Sequence, residues 1–98
     1  MLYRHGDVLI QHVVRLPDAL PRTGTTLARG EVTGHSHRFQ DPGAVQLYQA
    51  GLDTYVRVLA DSADLIHEEH HTITLPRGDY RVWMQREYSP EAVRRVTD

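Results

Sequence analysis

Ninety-eight residues, 40% hydrophobic and 24% charged, are ordinary for a soluble globular chain and make one domain, residues 1–98, with room for a single core. A formal net charge of -2 excludes indiscriminate gripping of duplex DNA or of an anionic membrane. All eleven basic residues are arginine and cysteine is absent, which excludes disulfides, thiolate zinc sites, cysteine nucleophiles and lysine Schiff bases, and leaves phosphate recognition to the bidentate guanidinium.

Met1 to Asp7 lacks the apolar stretch of a signal peptide and no later run approaches a membrane span, so a cytoplasmic protein is expected. His5, near the terminus, carries no signal. Gly6-Asp7 opens a run in which Val8, Ile10, His12, Val14 and Leu16 share one face, predicting a long strand buried mainly on that side, with His12 among the core residues. Two prolines and a glycine make Leu16 to Gly24 a loop, and Thr25 to Val32 a second strand.

The densest chemistry begins at Gly30-Glu31-Val32-Thr33-Gly34-His35-Ser36-His37-Arg38-Phe39. On a strand, side chains alternate, so His35 and His37 point to one face about 7 Å apart while Ser36 and Arg38 point to the other. Two imidazoles so placed suit a metal or a phosphodiester. Gln40 to Gly43 is a turn, Ala44 to Gln49 a short strand, Ala50 to Asp53 a hairpin-like turn, and Thr54 to Leu59 a further strand.

His67-Glu68-Glu69-His70-His71 is the second dense patch. It spells the H-E-x-x-H of zinc-protease helices, but the β-branched Thr72-Ile73-Thr74 that follows leaves barely two turns for such a helix. A loop between strands is expected, with His67, His70 and the glutamates facing a common cleft. Thr72 to Tyr88 closes the sheet, with a turn at Pro76 to Gly78 and a strand from Tyr80 that ends in Gln85-Arg86-Glu87-Tyr88. Ser89-Pro90-Glu91 starts a short C-terminal helix. The fold expected is mainly β, a small sandwich or barrel with that one helix.

Three chemistries fit two histidine patches on such a scaffold. H-x-H on a strand followed by L-P-x-G-x-Y resembles cupin metal sites, although Tyr80, Arg81 and Val82 stand where cupins carry a further histidine, so His67, His70 or His71 would have to substitute. A second is metal-free cleavage of RNA-like phosphodiesters, with one imidazole deprotonating a 2′-hydroxyl, another protonating the leaving oxygen and an arginine holding the phosphorane. The third is a non-catalytic nucleotide-binding module.

Together, G-E-V-T-G-H-x-H-R (Gly30 to Arg38), H-E-E-H (His67 to His70), L-P-x-G-x-Y-x-V (Leu75 to Val82) and Q-R-E-Y (Gln85 to Tyr88) resemble a small ring nuclease family found beside type III CRISPR systems. The resemblance implies a homodimer that cuts cyclic oligoadenylate messengers and so ends antiviral signalling. The sequence-level expectation is therefore a phosphodiesterase without metal or other cofactor. His35, His37 and Arg38, with His67, Glu69 and His70, are the catalytic candidates, and Thr33, Ser36, Gln85, Arg86 and Tyr88 the substrate-binding ones.

Overall fold

The computed structural model describes residues 1–29 and 34–85. Among these residues eight strands form: β1 Leu2–His5, β2 Val8–Val13, β3 Leu20–Arg22, β4 Thr26–Arg29, β5 Ser36–Phe39, β6 Val45–Ala50, β7 Asp53–Ile66 and β8 Ile73–Met84. One turn of 3₁₀-helix, Pro42–Ala44, precedes β6, and Asp41 caps it by accepting from the Gly43 N–H at 2.9 Å. No helix among the described residues is long and apolar enough to cross a membrane.

All eight strands join one antiparallel sheet in the order β1-β2-β8-β7-β5-β4, with β6 also on β7 and β3 on β6. The mainly β, single-core expectation holds. The sheet does not close into a barrel, because β1 and β4 end the strand path without pairing to each other. Its spine is the β7–β8 hairpin. The first half of β7 carries β6, its last two residues carry β5 through Arg38↔Ile66 and Phe39↔Leu65, and β8 carries β2.

Β-branched and aromatic content in Thr54 to Leu59 predicts the first half of β7, but not its continuation through Asp61-Ser62-Ala63-Asp64, residues poor in strand propensity. That half is held by its partner strand, where Thr74 Oγ1 donates to Asp64 Oδ1 at 2.7 Å across the ladder. Pro76-Arg77-Gly78 is likewise not the predicted turn. It lies inside β8, opposite a register shift between Val58 and Ser62, and Gly78 takes a φ of +149° that side-chain-bearing residues rarely adopt. The buried Tyr80 hydroxyl spans this irregularity, donating to the Pro76 carbonyl at 2.6 Å.

Val8, Ile10, Leu47, Val56, Val58, Leu65, Leu75, Tyr80 and Phe39 form one apolar cluster that draws on both halves of the bent hairpin. The expected core position of His12 is not observed. β2 stops at Val13, so His12 lies at the exposed end of the strand, edge-on to Tyr80 and against Gly78, where no side chain stands in its way. Pro21 sits in a strand rather than a loop, on β3, which pairs only with β6 and so tolerates the missing N–H. The predicted C-terminal helix falls outside the described residues, as do Thr33, Arg86 and Tyr88.

Phe39 and Leu65 pair across β5 and β7 in the core, one step from the histidine motif. Leu65→Ala should therefore cost about 2–5 kcal/mol and loosen β5. A urea midpoint close to wild type would contradict the single shared core.

Candidate metal centre

β5 and the β7–β8 loop meet at one end of the sheet, and the β1–β2 turn closes against them. His37 comes from β5, where the strand's alternation turns it inward to 5% exposure. His67 and His70 come from the loop after β7, which is irregular rather than helical, as its β-branched flank predicts. His5 comes from the end of β1, at 2% exposure. The ring centres of His37, His67 and His70 lie 4.4–5.5 Å apart, and His5 lies 4.9 Å from His37, 5.8 Å from His70 and 6.3 Å from His67.

Four imidazoles so close must have a reason to tolerate one another. Part of it is protonation. Burial pushes His37 down from 6.5 to about 4, helped by His5, His67 and His70, while Asp7 opposes the shift. Burial likewise lowers His5 and His67, with neighbouring imidazoles adding to the effect. These shifts favour the neutral form of His5, His37 and His67, the form in which imidazole binds metals.

Hydrogen bonds fix the geometry. His5 Nδ1 and His37 Nδ1 are 2.8 Å apart, so one of them donates to the other. The Glu69 backbone N–H donates to His67 Nδ1 at 2.9 Å. Glu68 clamps the loop to β5: one carboxylate oxygen accepts the Ser36 backbone N–H at 3.0 Å and the other lies 2.8 Å from Arg38 Nη1. These contacts, the Ser36 N–H first, hold its carboxyl down at about 2.

Gly6 makes the close approach possible. It has a φ of +63°, while Asp7 has no positive φ, the sign pattern of a two-residue type II′ hairpin turn. A Cβ on Gly6 would fall 2.7 Å from His70 Nε2 and 3.0 Å from His37 Cε1.

Of the residues expected from sequence, His35, His37, Arg38, His67, Glu69 and His70 do come together. His35 stacks edge-on to His67 at 5.6 Å, and its Nδ1 faces Glu69 at 3.4 Å. Ser36 and Arg38, however, are engaged with each other and with Glu68, Arg38 Nη1 reaching the Ser36 carbonyl at 2.9 Å and its hydroxyl at 3.1 Å. Gln85 is exposed beyond β8 and donates its backbone N–H to the Asp7 carbonyl at 2.9 Å. His71, the second histidine of the literal H-E-x-x-H, is exposed on the loop, and it is His70 that joins the cluster. Sequence reasoning missed His5 and Gly6. The signal was Gly6-Asp7 between two alternating runs, which marks a two-residue hairpin and so places His5 opposite Val8.

Two groups of side chains present donor atoms within 4.8 Å of one another: His37, His67 and His70, and His35, His67 and Glu68. Both need His67, whose Nδ1 is occupied by the Glu69 N–H, and Glu68 is already committed to Ser36 and Arg38. The three-histidine group is therefore the better centre. A tetrahedral zinc would need its nitrogens about 3.3 Å apart, given bonds of about 2.0–2.1 Å. The exposed loop side chain of His70 and the half-buried one of His67 can close that gap by rotating, with His37 fixed on its strand.

A family model described as a domain of unknown function, DUF8820, matches residues 4–85, a span that contains every residue of this cluster. No curated protein and no solved structure matches the chain.

Two expectations follow for the metal-free protein. The folded pKa of His37 lies below its unfolded value, so between pH 6.5 and about 4 the unfolded chain binds a proton that the folded one refuses. Stability should fall as pH drops through that window, by up to about 3 kcal/mol from His37, and the slope should lessen in His37→Gln. Urea midpoints that stay flat from pH 6.5 to 4 would contradict a buried, neutral His37. Gly6→Ala should cost about 1–2 kcal/mol for its left-handed backbone and shift the His70 ring resonances, as read by thermal unfolding and NMR. Unmoved His70 resonances would contradict the close approach.

Proposed function

The chain belongs to the DUF8820 family, whose description names no activity, and we propose that it is a metalloprotein in which His37, His67 and His70 bind one divalent transition-metal ion. The observation that carries this reading is the convergence of three imidazole donors from two separate elements on one point. Neutral imidazoles without thiolates suit zinc, copper, nickel or iron, and three protein ligands leave a coordination position for water or substrate. His70 is exposed, so that position opens to solvent. A metal ion in such a site supplies a Lewis acid and acidifies a bound water, which is hydrolytic chemistry.

The chain's own residues supply the rest. Glu68 and Ser36 hold the loop in place, and Glu69 with His35 forms a polar rim beside His67. Within this reading, cyclic oligoadenylate is the substrate suggested by the motif resemblance, and a homodimer its expected assembly. The cupin-like alternative weighed from sequence is thus preferred, with His67 and His70 in place of the later cupin histidine. Against the metal-free phosphodiesterase stands the engagement of Arg38, the only arginine of the histidine motif, with Glu68 and Ser36.

Protein stripped of metal and titrated calorimetrically with zinc, cobalt or nickel should take up one equivalent, and His37→Ala or His70→Ala should abolish this. Labelled cyclic oligoadenylate incubated with the loaded protein should be cut only while EDTA is absent. Failure to bind any of these metals would overturn the metalloprotein reading. Cleavage that survives EDTA would restore the metal-free histidine mechanism.

A further inference from the structure

His5 is the most buried polar side chain of the cluster, yet it is not one of the three that present converging donors. It nevertheless touches the one ligand that cannot move. Its Nδ1 lies 2.8 Å from His37 Nδ1, with the two rings edge to face, interplanar angle 77°. Two nitrogens at that distance share a single proton. If His37 carries it, His37 Nε2 has a free lone pair; if His5 carries it, His37 Nε2 is protonated and cannot bind a metal.

Metal binding decides between these. His37 Nδ1 is taken up by His5, so Nε2 is the nitrogen left for a metal, and a ring that gives Nε2 to a metal keeps its proton on Nδ1. His5 Nδ1, 2.8 Å away, is then the acceptor and His37 Nδ1–H the donor.

Resting on the metalloprotein reading, we infer that His5 is a positioning residue: it accepts the His37 Nδ1–H and so presents His37 Nε2 to the metal. Ligating histidines elsewhere commonly give their second N–H to a carboxylate, a carbonyl or water, and loss of that partner typically weakens metal binding about 10- to 100-fold. Here the partner is a buried imidazole, whose ring in turn lies 5.8 Å from that of His70 and 6.3 Å from that of His67. The same residue thus ties the fixed ligand of β5 to the two loop ligands.

Zinc titration of the wild type, His5→Phe and His5→Asn, with cobalt absorption spectra of each, tests this. His5→Phe keeps the volume and loses the acceptor. It should still take one equivalent of metal with unchanged cobalt bands, but bind about 10- to 100-fold more weakly. His5→Asn, whose amide oxygen can stand near the Nδ1 position, should recover most of that loss. Affinity unchanged in His5→Phe would reduce His5 to a space filler, and altered cobalt bands with loss of stoichiometric binding would make it a fourth ligand. Either overturns the inference while leaving the metal centre intact, whereas a wild type that binds no metal overturns both. Should His5→Phe fail to fold, ring ¹⁵N spectra of zinc-loaded wild type decide: a protonated His37 Nδ1 beside an unprotonated, metal-free His5 Nδ1 is expected, and a metal-bound His5 nitrogen contradicts it.

Discussion

The continuous pairing of β7 with β8 is the constraint on which the rest of the structure depends. Strands of 14 and 12 residues give the sheet a spine long enough to carry β6 and β5 on one side and β2 on the other. Because β5 meets β7 only at the last two residues of β7, the chain that follows β7 emerges beside the histidines of β5. β2 pairs with the end of β8 far from the histidine loop, and the Gln85 N–H bonds the Asp7 carbonyl there at 2.9 Å, yet a Cβ on Gly6 would meet His70 and His37, so the sheet curls to bring the β1–β2 turn to the same place. Three segments distant in sequence thus meet at one corner through strand pairing, the curl of the sheet and the Glu68 contacts.

What collects there is costly without a ligand. His5 and His37 are almost fully buried, and burial together with neighbouring imidazoles disfavours a charge on either. Buried polar groups ordinarily persist only where they are hydrogen-bonded or serve a function. Desolvation of this kind, concentrated at one point of an otherwise apolar sheet, fits the proposed metal site: donors held close, with His37 fixed on its strand and the loop histidines left to rotate onto the ion. The Gly6 backbone and the Glu68 clamp are the devices that keep them so.

Much of this was legible in the sequence where local pattern and final structure agree. The strand that starts at Val8, the turn at Ala50 to Asp53 and the non-helical character of His67 to His71 follow from residue type alone, although Leu9 is buried along with Val8 and Ile10. So does the pairing of His35 and His37 on one face, since both rings approach His67. Pro76-Arg77-Gly78 misled because turn-forming residues also make bulges, and only the partner strand distinguishes the two. Asp61 to Asp64 misled because tertiary pairing overrides weak strand propensity. His12 and His5 exchanged roles for a related reason. Burial of a histidine near a strand end depends on how far the neighbouring strands extend, a non-local property that no window around either residue contains.

The most direct measurement of the central claim is anomalous diffraction at the zinc edge from crystals of the zinc-loaded protein. The account predicts one peak bounded by His37, His67 and His70, about 2.0–2.1 Å from a nitrogen of each, with His5 outside bonding distance and hydrogen-bonded to His37. A map without a peak at this corner, or with zinc held elsewhere on the sheet, would contradict it.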